Sequence, residues 1–239
     1  MGMSILRNLL LAFFAVLLLQ CDRSTSPSDD ITDINSQEIE YPGDPVFIRD
    51  RLGQEWDITH AFYKYDFKPE NFQFGVGQFA IPPLTDPIFA DAESPEFPNP
   101  SDPFLMLGYK VNGDIRAYAA FVMVNFEVAN DWYGDTPLLV GYCPLSKLAA
   151  VYSREIDGRT LTFSASGWTY DYTFILYDRE TESLWYHLPG ENALTCVNGF
   201  YADRRLEELP STFTRWNQWY AENPTSTFLL KRNGPGARD

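Results

Sequence analysis

Cysteine and histidine are scarce in this chain, with three and two copies among 239 residues. Those numbers exclude a disulfide-stapled scaffold and a zinc site built from these two residue types alone. Cations are also outnumbered, 18 Lys and Arg against 33 Asp and Glu, for a formal net charge of −15. A field of that sign repels phosphate backbones and anionic lipid headgroups, so nucleic-acid binding and a polybasic membrane-surface role are disfavoured. No glycine-rich phosphate cradle, nucleophile elbow or His-Glu-x-x-His pair occurs, which removes the usual signatures of nucleotide enzymes and hydrolases. What the chain does have is aromatic and apolar content, 16% and 45%. That is too much for a disordered acidic polymer, and the length suffices for one large domain with a substantial core.

One apolar run stands apart. Leu9 to Leu19 follows a single cation, Arg7. Eleven helical residues span about 16 Å, roughly half of a ~30 Å hydrocarbon core, so a cleaved secretory signal over residues 1–20 fits better than a resident span. The run ends at Gln20-Cys21, which resembles the lipobox of bacterial lipoproteins, although Gln20 replaces the usual small residue. The resemblance implies lipidation of Cys21, membrane attachment through that anchor only, and an exported, cell-envelope location facing the periplasm or exterior. Residues 21–45 are polar and acidic and read as a flexible tether. A single globular domain is expected over 46–232, followed by a polar tail at 233–239.

Within the domain the expected fold class is mainly β, an antiparallel or barrel-like sheet with short peripheral helices, with α+β as the alternative. Asp57 can cap a helix near 57–66, whose face carries Ile58, Ala61, Phe62 and Tyr65. Gly75 to Asp102, rich in proline and glycine, reads as irregular chain. Asn112-Gly113-Asp114 joins two alternating runs as a hairpin, because Asn-Gly tolerates the positive φ values of a tight turn. Further strands are expected at 138–143, 148–154, 160–165, 173–177 and 183–187. A second helix near 211–222, capped by Ser211 or Thr212, would place Phe213, Trp216, Trp219 and Tyr220 on one stripe. Thr227 to Leu230 reads as a last strand.

Several blocks carry a family resemblance in the right order: Ile81-Pro82-Pro83-Leu84-Thr85-Asp86-Pro87, Asn112-Gly113-Asp114-Ile115-Arg116, Asn130-Asp131, Tyr142-Cys143-Pro144-Leu145, Ser166-Gly167, and Leu176-Tyr177-Asp178-Arg179. Over about residues 75–230 the chain resembles the bacterial and archaeal domain-of-unknown-function family 3179. The resemblance brings no established activity. It does imply a Tyr-Cys-Pro-Leu-Cys pattern preceded by Trp-His-Glu. Here the second cysteine position is Ser146 and the histidine position is Phe126, while Cys143 and Glu127 are kept.

The candidate binding residues are Tyr142, Cys143, Ser146, Trp168, Tyr170, Asp171, Trp185 and His187. They lie at expected strand ends and mix hydroxyls with aromatics, a composition suited to a pocket that stacks a planar or sugar-like ligand. The leading expectation is a noncatalytic module binding a small molecule or a protein, without cofactor or metal. A thiol-dependent enzyme or redox protein is the alternative, with Cys143 as nucleophile, His187 or Glu127 as base, and Ser146 and Lys147 favouring the thiolate. A metal held by Cys143, His187 and nearby carboxylates is a third possibility. Glu127, Asn130 and Asp131 could offer oxygens to a hard cation, but solvated positions and a turn cap explain them as well. Cys143 and Cys196 either pair as a disulfide or remain separate thiols. His60 is expected to be a hydrogen-bonding residue on a helix flank.

Overall fold

Alternation and apolar runs in the sequence become strands almost throughout. The computed structural model describes residues 39–233. The expected signal, Cys21, most of the tether and nearly all of the polar tail lie outside the described residues. In chain order the elements begin with β1 (Phe47–Arg49), β2 (Glu55–Asp57), α1 (Thr59–Tyr65), β3 (Phe72–Phe74), β4 (Leu84–Thr85), β5 (Pro87–Ala90), β6 (Leu105–Val111), β7 (Asp114–Ala119), α2 (Ala120–Met123), β8 (Val128–Tyr133) and β9 (Thr136–Tyr142). Then come β10 (Ala149–Ser153), β11 (Glu155–Ile156), β12 (Arg159–Thr160), β13 (Phe163–Tyr170), β14 (Thr173–Asp178), β15 (Leu184–Tyr186), β16 (Ala193–Asn198), β17 (Arg205–Leu209), β18 (Thr212–Arg215), α3 (Trp216–Glu222) and β19 (Thr227–Asn233). The fold is mainly β, a curled half-barrel with three short α-helices among the described residues.

A ten-stranded sheet runs in the order β3-β13-β14-β15-β16-β17-β10-β9-β8-β4, and a five-stranded sheet in the order β18-β6-β7-β19-β5. Pairing is antiparallel except for β4 with β8 and β7 with β19. The centre of the large sheet is buried on both faces. Leu138 and Val140 of β9 enter a core cluster with Met106, Tyr118, Trp216 and Trp219, while Leu139 between them enters a second cluster with Cys143, Tyr152, Phe174 and Trp185. Successive strand residues point to opposite faces, so an unbroken apolar run is what a doubly covered strand requires. A third cluster gathers Ile48, Trp56, Ile58, Phe67, Tyr170 and Tyr177.

Helix α1 begins two residues later than expected, with Ile58 and not Asp57 at its N-cap, although the Thr59 amide donates to Asp57 Oδ1 at 2.8 Å. The second helix is shorter than expected. Thr212–Arg215 instead pairs with Gly108–Leu105 as an edge strand, and helical turns begin only at Trp216. Phe213 is thus a strand residue at the surface, while Trp216 and Trp219 are buried. The 75–102 region is not wholly irregular, since it supplies β4 and β5.

Candidate functional site

The site begins with a fault in a strand. Register between β13 and β14 is lost between Ala165 and Thr169, a bulge whose middle is Ser166-Gly167-Trp168. Gly167 takes φ 83°, and a Cβ there would sit 2.5 Å from the Gly77 carbonyl oxygen, so only glycine lets the two backbones meet. The Val76 amide donates to the Gly167 carbonyl at 3.1 Å, closing that contact. Ser166, fully buried, spans the disrupted ladder: its hydroxyl donates to the Ile175 carbonyl at 2.7 Å and accepts from the Trp168 amide at 3.2 Å. Trp168 then lies across Gly75, where even a methyl group would meet the indole at 2.6 Å.

Opposite the bulge, the turn after β9 is closed by backbone bonds. The Cys143 amide donates to the Leu148 carbonyl at 2.9 Å, and the Lys147 amide to the Cys143 carbonyl at 3.0 Å. Pro144 and Leu145 form its projecting edge. Glu127 joins from the turn between α2 and β8, held in the left-handed region at φ 58°. Its amide donates to the Met123 carbonyl at 2.7 Å, and its carbonyl accepts from the Tyr142 amide at 2.8 Å. A non-glycine residue held in that conformation costs about 1–3 kcal/mol and persists because its surroundings over-determine it.

These segments enclose a cleft of about 210 Å³ lined by Phe74, Val76, Ile81, Glu127, Pro144, Leu145, Gly167, Trp168 and Thr169. The wall is apolar apart from the Glu127 carboxyl and the Thr169 hydroxyl, which donates to Gln73 Oε1 at 2.8 Å. Glu127 has no hydrogen bond or ion pair to its carboxyl among the described residues, and burial alone pushes that carboxyl up to about 7. Trp168 buries its indole Nε1–H without an acceptor. The indole nitrogen is an exception to the rule that buried polar groups are paired, whereas Glu127 is half-buried.

Of the sequence-predicted residues, the structure brings Trp168, Glu127 and the turn after Cys143 to this cleft. The rest sit elsewhere. Cys143 is only 1% exposed, in the second core cluster, with its thiol donating to the Tyr172 carbonyl at 3.5 Å. Ser146 is exposed and accepts from the Leu148 amide at 3.4 Å, and Lys147 Nζ bonds the Pro144 carbonyl at 2.7 Å. Neither hydroxyl nor ammonium therefore contacts the thiol, and the grouping that would favour a thiolate is absent. Cys143 and Cys196 are both buried and free, which settles the disulfide question against a bridge.

Tyr142 packs in the core beside Phe213. Tyr170 stacks on Phe67 with centroids 4.0 Å apart, and Asp171 occupies the tight β13–β14 turn with Tyr172, both at positive φ. Trp185 is fully buried, donating its indole N–H to Asp178 Oδ2 at 2.8 Å. His187 Nδ1 lies 2.8 Å from the Tyr152 hydroxyl and 3.8 Å from Glu208. The Trp185 to His187 strand end does not line the cleft, so the expected three-segment pocket reduces to two of its segments plus Glu127. His60 is a buried structural residue, bonded at Nδ1 to Tyr41 and at Nε2 to Asp203, each at 2.9 Å.

Asn130 and Asp131 are neither solvated nor a turn cap. Both are 1% exposed within β8. Asn130 accepts from the Phe163 amide and donates to its carbonyl, each at 2.8 Å, joining β8 to β13. Asp131 accepts from Arg116 Nη1 at 2.7 and 2.8 Å, and from the Tyr118 hydroxyl. These partners leave no oxygen set shared with Glu127, and among the described residues no group of three or more His, Cys, Asp or Glu could hold a metal ion.

The wall residues Phe74, Val76 and Ile81 carry no binding signal of their own: Phe74 closes the stretch that holds the expected first helix, Val76 lies in chain expected to be irregular, and Ile81 stands out only in a family block. The pair Gly75 and Gly77 was the available signal. No helix among the described residues is long and apolar enough to cross a membrane. Comparison with curated proteins and with solved structures found no match to this chain. The family described as protein of unknown function DUF3179 matches residues 79–239, about two thirds of the chain and including the bulge, the Cys143 turn and Glu127, and the chain belongs to that family.

Proposed function

We propose that this protein is an exported, lipid-anchored, noncatalytic binding module, and that its cleft takes a small, largely apolar molecule carrying one polar group. The observation that carries the reading is an apolar wall that holds one unpartnered carboxyl, Glu127. Few convergent polar groups in an apolar concavity are the usual composition of a small-molecule site. At about 210 Å³ the space is below the ~300–1,000 Å³ of drug-sized sites, so the ligand is small. Cys143 contributes by anchoring the turn that presents Pro144 and Leu145.

Ligand-observed NMR against a panel of small apolar molecules bearing one polar group tests the binding reading, with Leu145→Asp as the control. Leu145 is 48% exposed, so the new charge blocks the cleft while leaving the fold intact. Binding should be seen for the natural sequence and lost in the variant. Equal responses from both proteins, or none from either, would remove the proposal.

The location rests on the Leu9 to Leu19 run, Cys21 and the acidic segment that follows. Cys21→Ala should move the protein from membrane to soluble fractions. Unchanged partitioning would refute the anchor.

A further inference from the structure

We infer that the cleft binds an organic ammonium ion, an apolar-bodied amine whose charged nitrogen pairs with Glu127 while its carbon skeleton packs against Phe74, Leu145 and Trp168. This rests on the binding role proposed for the same cleft and names its ligand class. Glu127 is the sole titratable side chain in the wall, and its carboxyl has no partner among the described residues. The cation in the adjoining turn, Lys147, is turned onto the Pro144 carbonyl and does not neutralise it.

A ligand that fills this space removes the water that still solvates the carboxyl. An anion entering would meet like charge. A neutral hydrocarbon would deepen the desolvation of Glu127 without relieving it. An ammonium ion supplies the opposite charge and N–H donors together, where the surrounding dielectric is low and such a pair is strong. Two aromatic rings in the wall, Phe74 and Trp168, suit the same ligand, because aromatic rings attract alkylammonium groups. The net charge of −15 draws cations toward the protein at long range.

The test uses two probes of nearly equal shape, 2-phenylethylammonium and 2-phenylethanol, titrated calorimetrically into the natural sequence and into Glu127→Gln at pH 8, where the carboxyl is ionised. The ammonium probe should bind at least tenfold more tightly than the alcohol. In Glu127→Gln that preference should vanish, with at least a tenfold loss of affinity for the ammonium probe. Equal binding of the two probes, or binding of the alcohol alone, overturns the ammonium assignment and leaves the binding role standing. A preference that survives in Glu127→Gln overturns the pairing with this carboxyl. Failure of both probes overturns the inference, and failure of the wider NMR panel as well overturns the binding role with it.

Discussion

Burial of the Glu127 carboxyl predicts a fold that weakens as pH rises past neutrality, and the size of the effect follows from its surroundings. Burial raises its carboxyl from the ordinary 4.5 to about 7. Between those values the folded chain holds a proton that the unfolded chain has released, so stability declines as pH rises through that window and levels off above it. At about 1.4 kcal/mol per pH unit the full penalty is about 3 kcal/mol, and partial exposure to water places the expected loss at about 2–3 kcal/mol. Glu127→Gln removes the charge, keeps the shape and occupies the same left-handed backbone. Urea unfolding of both proteins at pH 4.5, 6, 7 and 8 isolates the term, because the other titrating groups cancel in the difference. The variant should match the natural sequence at pH 4.5 and exceed it by 2–3 kcal/mol at pH 8, a midpoint shift of roughly 1 M at the m-values usual for urea. A gap that is the same at every pH, or a variant weaker at pH 8, would show that the carboxyl is not held in an apolar setting.

Two other outcomes follow from burial. Cys143 and Cys196 should resist alkylation in the native protein and react once unfolded; burial also pushes the Cys196 thiol upward. Mass spectrometry locates the label, and rapid native labelling of Cys143 would restore the thiol-enzyme reading. Arg116→Met should cost about 3–5 kcal/mol in urea unfolding, because Asp131, 1% exposed, would lose its cation. Pairing it with Asp131→Leu should recover much of that loss, and a single-variant cost below 1 kcal/mol would mean that the ion pair is not what holds β7 to β8.

How far the sequence speaks depends on whether a residue's partner is local. The Asn112-Gly113 hairpin forms as expected, with Asn112 and Gly113 at φ 50° and 84°, because both requirements of the turn lie in adjacent residues. Thr212–Arg215 reads as helix in the sequence because Phe213 and Trp216 are three apart, and that spacing carries no sign that Gly108 waits across a sheet. β16 carries no strand signal for a related reason: all six of its residues are buried, so the alternation that marks a strand is missing. Asn130 and Asp131 look like turn residues until Phe163, 33 positions away, and Arg116 supply their bonds. Glu127 was visible as a candidate, but its isolation could not be, since an unpartnered side chain is a property of the packed chain.

The contrast between satisfied and unsatisfied polar groups is what singles out the cleft. Asp178 is fully buried yet accepts from Trp185 and twice from Thr181. Asn130, Asp131 and His60 are likewise matched on their polar atoms. A chain that solves this problem four times in its core does not leave Trp168 Nε1 bare for want of partners. Asn217 Oδ1 is the other unmatched buried side-chain atom among the described residues. At the cleft, by contrast, the bare indole coincides with a bulge only glycine permits, a glutamate in left-handed backbone and a carboxyl that burial keeps from ionising freely. Each of these lowers stability by itself, and they converge from separate stretches of the sequence. Local rules broken together at one concave place are the pattern expected where stability is given up for binding.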